Sequence, residues 1–241
     1  MVGGYIFIRR RKGDEAEKPF WISFADFMTA LTALFLVTMS VALLAVTKTV
    51  TDAERRRAER ELEIEQLLDE IAQAAERYPG VTVDKNRNVI DFRDRARFET
   101  DSHRLTSEQA KLLRAFVPEV LTIARNQLGH RWLKRIVVEG FADQRGTYLH
   151  NLNLSLQRSQ RVLCVLLSPP FTDEKPMSPD ELEQIRELFL VGGYSFNSAK
   201  ASFDESRRIE LRLEFFGVDE SRQATGEIPR ANFGRCALGT Q

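Results

Sequence analysis

From Phe20 to Thr47 the chain is apolar apart from scattered hydroxyl side chains, and Asp26 is its one ionisable residue. At about 1.5 Å of rise per residue, a helix over this run spans the ~30 Å hydrocarbon core of a bilayer. The run exceeds a signal-peptide core and no Ala-x-Ala-type cleavage site follows it, so it is expected to remain as an anchor.

Beyond it the pattern changes. Thr51 to Tyr78 is charged, with Ile64, Leu67, Ile71, Ala74 and Tyr78 at spacings of three and four. Such a seam fits a parallel dimer stalk or an amphipathic helix packed on its own domain. Pro79-Gly80 predicts its end. Val81-Thr82-Val83 and Val89 to Phe92 alternate as two strands around a polar turn. Thr106 and Gln109 form a capping box before the stripe Leu112, Leu113, Phe116, Val120 and Ile123. Pro118 is expected to kink or interrupt that helix, and Gly129 to close it. Ile136-Val137-Val138 predicts a short buried strand, and Asn151 to Leu167 a second helix. Ser168 to Ser178, with Pro169, Pro170, Thr172-Asp173 and Pro176, predicts a loop. Ser178-Pro179-Asp180-Glu181 predicts a helix start, with Leu182, Ile185 and Phe189 carrying the helix to Gly192-Gly193. Arg208 to Phe215 alternates strictly and predicts a strand. Strands and helices in this order predict an α/β (α+β) sandwich, its helices against one face of a mixed sheet.

The 35 basic and 35 acidic residues balance, which argues against a nucleic-acid binder. Cys164 and Cys236 could pair outside the cytoplasm or remain two free thiols. The tail from Gly217 to Gln241 has no period and could be tied down through Cys236. Arg9, Arg10, Arg11 and Lys12 before the apolar run favour a cytoplasmic amino terminus, but Lys48, Arg55, Arg56, Arg57 and Arg60 follow it. His103, His130 and His150 are scattered, without metal spacing or a nucleophile motif. No enzyme, metal site or cofactor is expected.

An Asp at the centre of a membrane helix costs about 2.5–3.5 kcal/mol on insertion scales, so its presence points to a use. Low dielectric disfavours its charged form, which suits an acid that loads and unloads protons. Ile22, Thr29, Ala30 and Ala33 share its face, small or hydroxylated for the most part, as at a close helix contact. The alternative is an Asp at the interface, wetted or paired with a partner's cation.

A second stretch, Gly140 to Arg158, follows a strand, turns at Gly146 and opens a helix. Asp143, the helix start near Asn151, and Arg158 could converge on a zwitterion: the acid on its amine, the Arg and helix amides on its carboxylate. An internal Asp–Arg pair with a capping Asn fits the same spacing.

Trp21-Ile22-Ser23-Phe24-Ala25-Asp26-Phe27-Met28-Thr29-Ala30-Leu31 resembles the membrane signature of MotB-type stator subunits. The resemblance implies that Asp26 accepts the proton, that Thr29 lies beside the path, and that two chains work within a MotA-type ring. Gly140, Asp143, Gly146, Asn151, Leu154, Ser155 and Arg158 match the OmpA-like peptidoglycan-binding domain in register, and Arg207-Arg208-Ile209-Glu210-Leu211 is similar to its closing strand. That resemblance implies that Asp143 and Arg158 grip the diaminopimelate of the wall peptide, with Asn151 and Leu154 shaping the pocket. Ala142 departs from the family's Thr at its position. Peptidoglycan binding would put the domain in the periplasm and the amino terminus in the cytoplasm of an inner-membrane protein. The short stalk and elaborated wall domain resemble the ZorB family of Zorya anti-phage defence, which implies a ZorA partner. A flagellar MotB-type stator and a passive membrane-to-wall anchor are the alternatives. The expected organisation is a cytoplasmic tail (1–18), a transmembrane helix (19–47), a stalk helix (48–79), an OmpA-like domain (80–216) and a tail (217–241).

Overall fold

The computed structural model describes residues 17–170, 174–222 and 233–239, with side chains from Trp21 onward. The expected cytoplasmic cluster Arg9–Lys12 and the loop residues Thr172-Asp173 lie outside the described residues. Two units divide the chain, Met1–Arg57 and Ala58–Gln241.

The first unit holds most of helix α1 (Glu17–Ala75), which is long and apolar enough to cross a membrane. Every side chain from Trp21 to Val50 is exposed on the single chain, Trp21 to 63% and Leu44 to 71%. A soluble core helix would bury such residues, so this one needs lipid or a partner around it. The expected membrane and stalk helices are a single element, α1. Its hydroxyls bond back within the helix, as Thr29 Oγ1 does to the Ala25 carbonyl at 2.7 Å and Ser40 Oγ to that of Leu36 at 2.7 Å.

In the second unit, a five-stranded mixed sheet runs β1-β2-β5-β3-β4. Its strands are β1 (Thr82–Asp84), β2 (Val89–Asp91), β3 (Leu133–Gly140), β4 (Phe189–Gly193) and β5 (Ile209–Phe215). β3 and β4 are parallel, and the other neighbours are antiparallel. The helices are α2 (Ser107–Arg125), α3 (Gln127–Trp132), α4 (Tyr148–Leu167), α5 (Pro179–Leu188) and the short α6 (Phe203–Ser206). Ile90, Ile136, Val138, Ile209, Leu211 and Leu213 give the sheet an apolar face, buried in one core with Leu113, Phe116 and Val120 of α2 and Val162 and Leu166 of α4. Each such side chain contributes about 1.5–3 kcal/mol on burial. The opposite face carries Glu139, Glu210 and Glu214, paired with Arg212, Arg208 and Arg135. This is the expected sandwich, with helices against one face.

The seam Ile64, Leu67, Ile71 and Ala74 of α1 is buried in the second unit. Of its two readings, the structure has the helix packed on its own domain. Glu63 accepts hydrogen bonds from Arg131 (2.8 Å) and Trp132 Nε1 (2.5 Å), and Arg60 Nε donates to the Phe216 carbonyl at 2.7 Å. These residues belong to the domain's wall rather than to a free stalk.

Three further expectations change. Pro118 lies inside an unbroken α2, where Phe116, Val117, Val120 and Leu121, all buried, hold the turn that the missing N–H weakens. Gly129 does not close that helix. Asn126 does, and its side chain then caps α3 by accepting from the Gly129 amide at 2.7 Å. The helix after Ser178 ends at Leu188, and Phe189 to Gly193 is strand β4 beside β3. Both capping boxes form as expected, at Thr106/Gln109 and Ser178/Glu181.

Candidate functional site

The site in the domain is built where β3 ends and α4 begins. Gly140 closes β3 against α4 so tightly that a Cβ there would stand 1.9 Å from the Ser155 carbonyl oxygen. Gly146, at φ +94°, then turns the chain into α4 in a conformation that glycine adopts freely. Thr147 caps the helix by accepting from the His150 amide. Asn151 is buried, and its amide donates to the carbonyls of Asp143 (3.1 Å) and Arg145 (2.8 Å). It staples the turn that carries Asp143. Leu154 is buried one helical turn further on.

Asp143 is 6% exposed. Its Oδ2 accepts from Arg145 Nη2 at 2.6 Å and Arg207 Nη1 at 3.2 Å, and its Oδ1 from the Arg145 amide at 3.0 Å. Burial pushes this carboxyl up, but the hydrogen bonds from Arg145 and Arg207 outweigh it and hold it at about 2. Arg158 is fully buried. It donates to the carbonyls of Ser102 (2.9 Å), Phe141 (2.7 Å) and Glu99 (3.1 Å), with its guanidinium 5.0 Å from the centre of the Phe98 ring. Burial and the nearby Arg207 lower it to about 10, so it stays cationic at neutral pH.

The structure thus brings Asp143, Asn151, Leu154 and Arg158 into one corner, but no hydrogen bond joins Asp143 to Arg158 among the described residues. Neither the open zwitterion clamp nor the simple Asp143–Arg158 pair is what the side chains form. Asp143 is matched by Arg145 and Arg207 instead. Arg207 is braced by the Phe98 carbonyl at 2.8 Å and by Asp204 at 2.5 Å. Beside them, His150 meets Asp101 at 2.7 Å. Sequence reasoning assigned no role to Arg145 or Arg207. The signal for Arg145 was its place two residues after Asp143 in a glycine turn. Arg207 carried only its position at the head of the closing strand.

Asp26 and Thr29 lie in the first unit, on one face of α1. Among the described residues Asp26 has neither a hydrogen-bond partner nor an ion-pair partner. Cys164 and Cys236 form a disulfide, their Cα atoms 5.4 Å apart. It holds segment 233–239 to α4, where Arg161 donates to the carbonyls of Leu238 (2.8 Å) and Gly239 (3.0 Å).

No family model matches the chain. Among solved structures, the OmpA-like domain of FopA1 from Francisella tularensis subsp. tularensis SCHU S4 aligns with 57% of this chain and 83% of its own, at 18% identity and a TM-score of 0.35. The peptidoglycan-associated lipoprotein from Burkholderia pseudomallei aligns with 50% of this chain and 87% of its own, at 15% identity and a TM-score of 0.31. Zorya protein ZorB of Escherichia coli O139:H28 (strain E24377A / ETEC) is 43% identical over 242 residues, covering 99% of this chain and 98% of that protein. With that identity sustained from end to end, the chain belongs to the ZorB family of Zorya proteins.

Proposed function

We propose that this chain is the ion-driven, wall-anchored subunit of an inner-membrane motor that serves anti-phage defence. The observation that carries the reading is Asp26: a lone carboxylate, unpartnered among the described residues, in an apolar helix whose side chains stand bare on the single chain. Such a helix needs lipid and protein around it, and such an acid needs a protein or water-lined path. Two copies within a MotA-like ring, for this family a ZorA-type subunit, would supply both. Asp26 takes up a proton from one side and releases it to the other, and Thr29 stands beside the path. Each charge crossing the membrane field is worth about 2.3 kcal/mol per 100 mV, enough for repeated loading to turn one part against another.

The domain at the other end gives the motor its fixed point. Asp143 is ionised at any physiological pH and receives the amine of diaminopimelate in the wall peptide, with Asn151 and Leu154 shaping the corner and Arg158 fixing its wall. The Cys164–Cys236 bond supports a domain in the oxidising periplasm, with the amino terminus in the cytoplasm.

The test is Asp26→Asn in the chain produced with its ring partner. Proton flux into liposomes and protection of cells from phage both fall to background if the reading is right. Full protection by the variant leaves only a passive tether.

A further inference from the structure

We infer that the Arg145 guanidinium is an exchangeable stand-in for the ligand's ammonium group, occupying the Asp143 carboxylate until the wall peptide displaces it. The inference rests on the reading of this corner as an amine-binding site, and goes beyond it by naming the residue that competes with the ligand.

The two arginines on Asp143 are unlike. The Arg207 side chain is 11% exposed and is braced on three sides, by Asp143, the Phe98 carbonyl and Asp204. The Arg145 side chain is 48% exposed, reaches Asp143 from the solvent side, and otherwise touches Thr100 Oγ1 at 3.3 Å and the half-exposed ring of Phe203 at 4.8 Å. Its backbone amide bonds Asp143 Oδ1 independently of the side chain. The guanidinium can therefore swing away while the turn keeps its shape. Arg145 and Arg207 both bond the Asp143 carboxylate, and withdrawing the half-exposed Arg145 would open that side of it to a ligand. Arg207 remains behind and keeps the carboxylate ionised. An incoming ammonium then replaces one cation by another, and no bare charge is left in the corner. A neutral ligand offers no such replacement, so Arg145 also selects for a cationic group.

The test uses the full chain in detergent and a soluble wall-derived tripeptide ending in diaminopimelate, either with its free amine or N-acetylated there. Calorimetry should give roughly two- to fivefold tighter binding of the amine peptide by Arg145→Gln, the span set by the strength of half-exposed ion pairs. The acetylated peptide should gain nothing, and Asp143→Asn should lose the amine peptide. In the native protein, the Arg145 Nε–H NMR signal should move when the amine peptide is added while that of Arg207 stays. Unchanged or weaker binding by Arg145→Gln, or an equal gain for the acetylated peptide, overturns the exchange, as does an unmoved Arg145 signal. If Asp143→Asn still loses binding in those cases, the amine site itself stands. Wild-type binding by Asp143→Asn would remove both.

Discussion

The two units treat charge in opposite ways. In the second, buried carboxylates are matched: Glu139 by Arg212, Glu210 by Arg208 and Arg87, and Asp143 by Arg145 and Arg207. In the first, Asp26 meets no partner among the described residues, and the run from Phe20 to Thr47 around it carries no other ionisable side chain. A matched carboxylate stabilises a fold, since removing one partner leaves the other buried and unpaired. Asp26 makes no such pair with its own chain among the described residues. Under the proposed function, the contrast separates the part that anchors from the part that carries the ion. It predicts that substitutions in the domain move stability, whereas those at Asp26 move ion flux alone.

The sharpest way to break the contrast is to hollow the core. Phe116, fully buried against Tyr78 and Phe92, should cost about 3–5 kcal/mol on truncation to Ala. Denaturant unfolding of the domain checks this, and a negligible loss would mean that the domain depends on something outside its own core. Removing the Cys164–Cys236 bond, which closes a sequence separation of 72 residues, should cost about 2–4 kcal/mol in the same measurement. The Cys164→Ser and Cys236→Ser variants should lose similar amounts if the bond is the cause.

Acid tests the matched charges. Asp143 is held at about 2 in the fold, against an ordinary value of 3.8. A depressed carboxyl gives stability that is fully present above its unfolded value and is lost as pH falls through the folded one. About 2 kcal/mol should therefore disappear between pH 4 and pH 2, and Asp143→Asn should flatten that part of the profile. The smallest expected effect is at a helix cap. Thr106→Ala removes the acceptor for the Gln109 amide and should lower the domain's stability by about 1 kcal/mol.

How much of this could be read from the residues varied with the kind of signal. Local chemistry read well. The apolar run around Asp26, both capping boxes and the alternation of Arg208 to Phe215 rest on interactions within a few residues. Pro118 misled because its buried neighbours hold α2 together more strongly than its ring disrupts it. Strand β4 was missed because Phe189, Leu190 and Val191 extend the helical apolar stripe with no turn residue before them, and only pairing with β3 makes them a strand. In the corner at Asp143 the sequence pointed to the acid, the Asn and the Arg, but not to their pairing, and the cap expected of Asn151 is supplied by Thr147, one turn earlier. Arg207 lies 64 residues from Asp143, and nothing local says that the chain returns there. The carbonyls that receive Arg158 likewise come from Glu99, Ser102 and Phe141, backbone groups that every residue carries.

The most direct test is proton flux through this chain reconstituted with the ZorA-type ring subunit proposed as its partner, compared between wild type and Asp26→Asn, with thermal unfolding of the domain followed in the same samples. Abolished flux at an unchanged unfolding temperature is the predicted result. Equal flux in the two would contradict the account, because the acid inside the apolar run would then have no work to do.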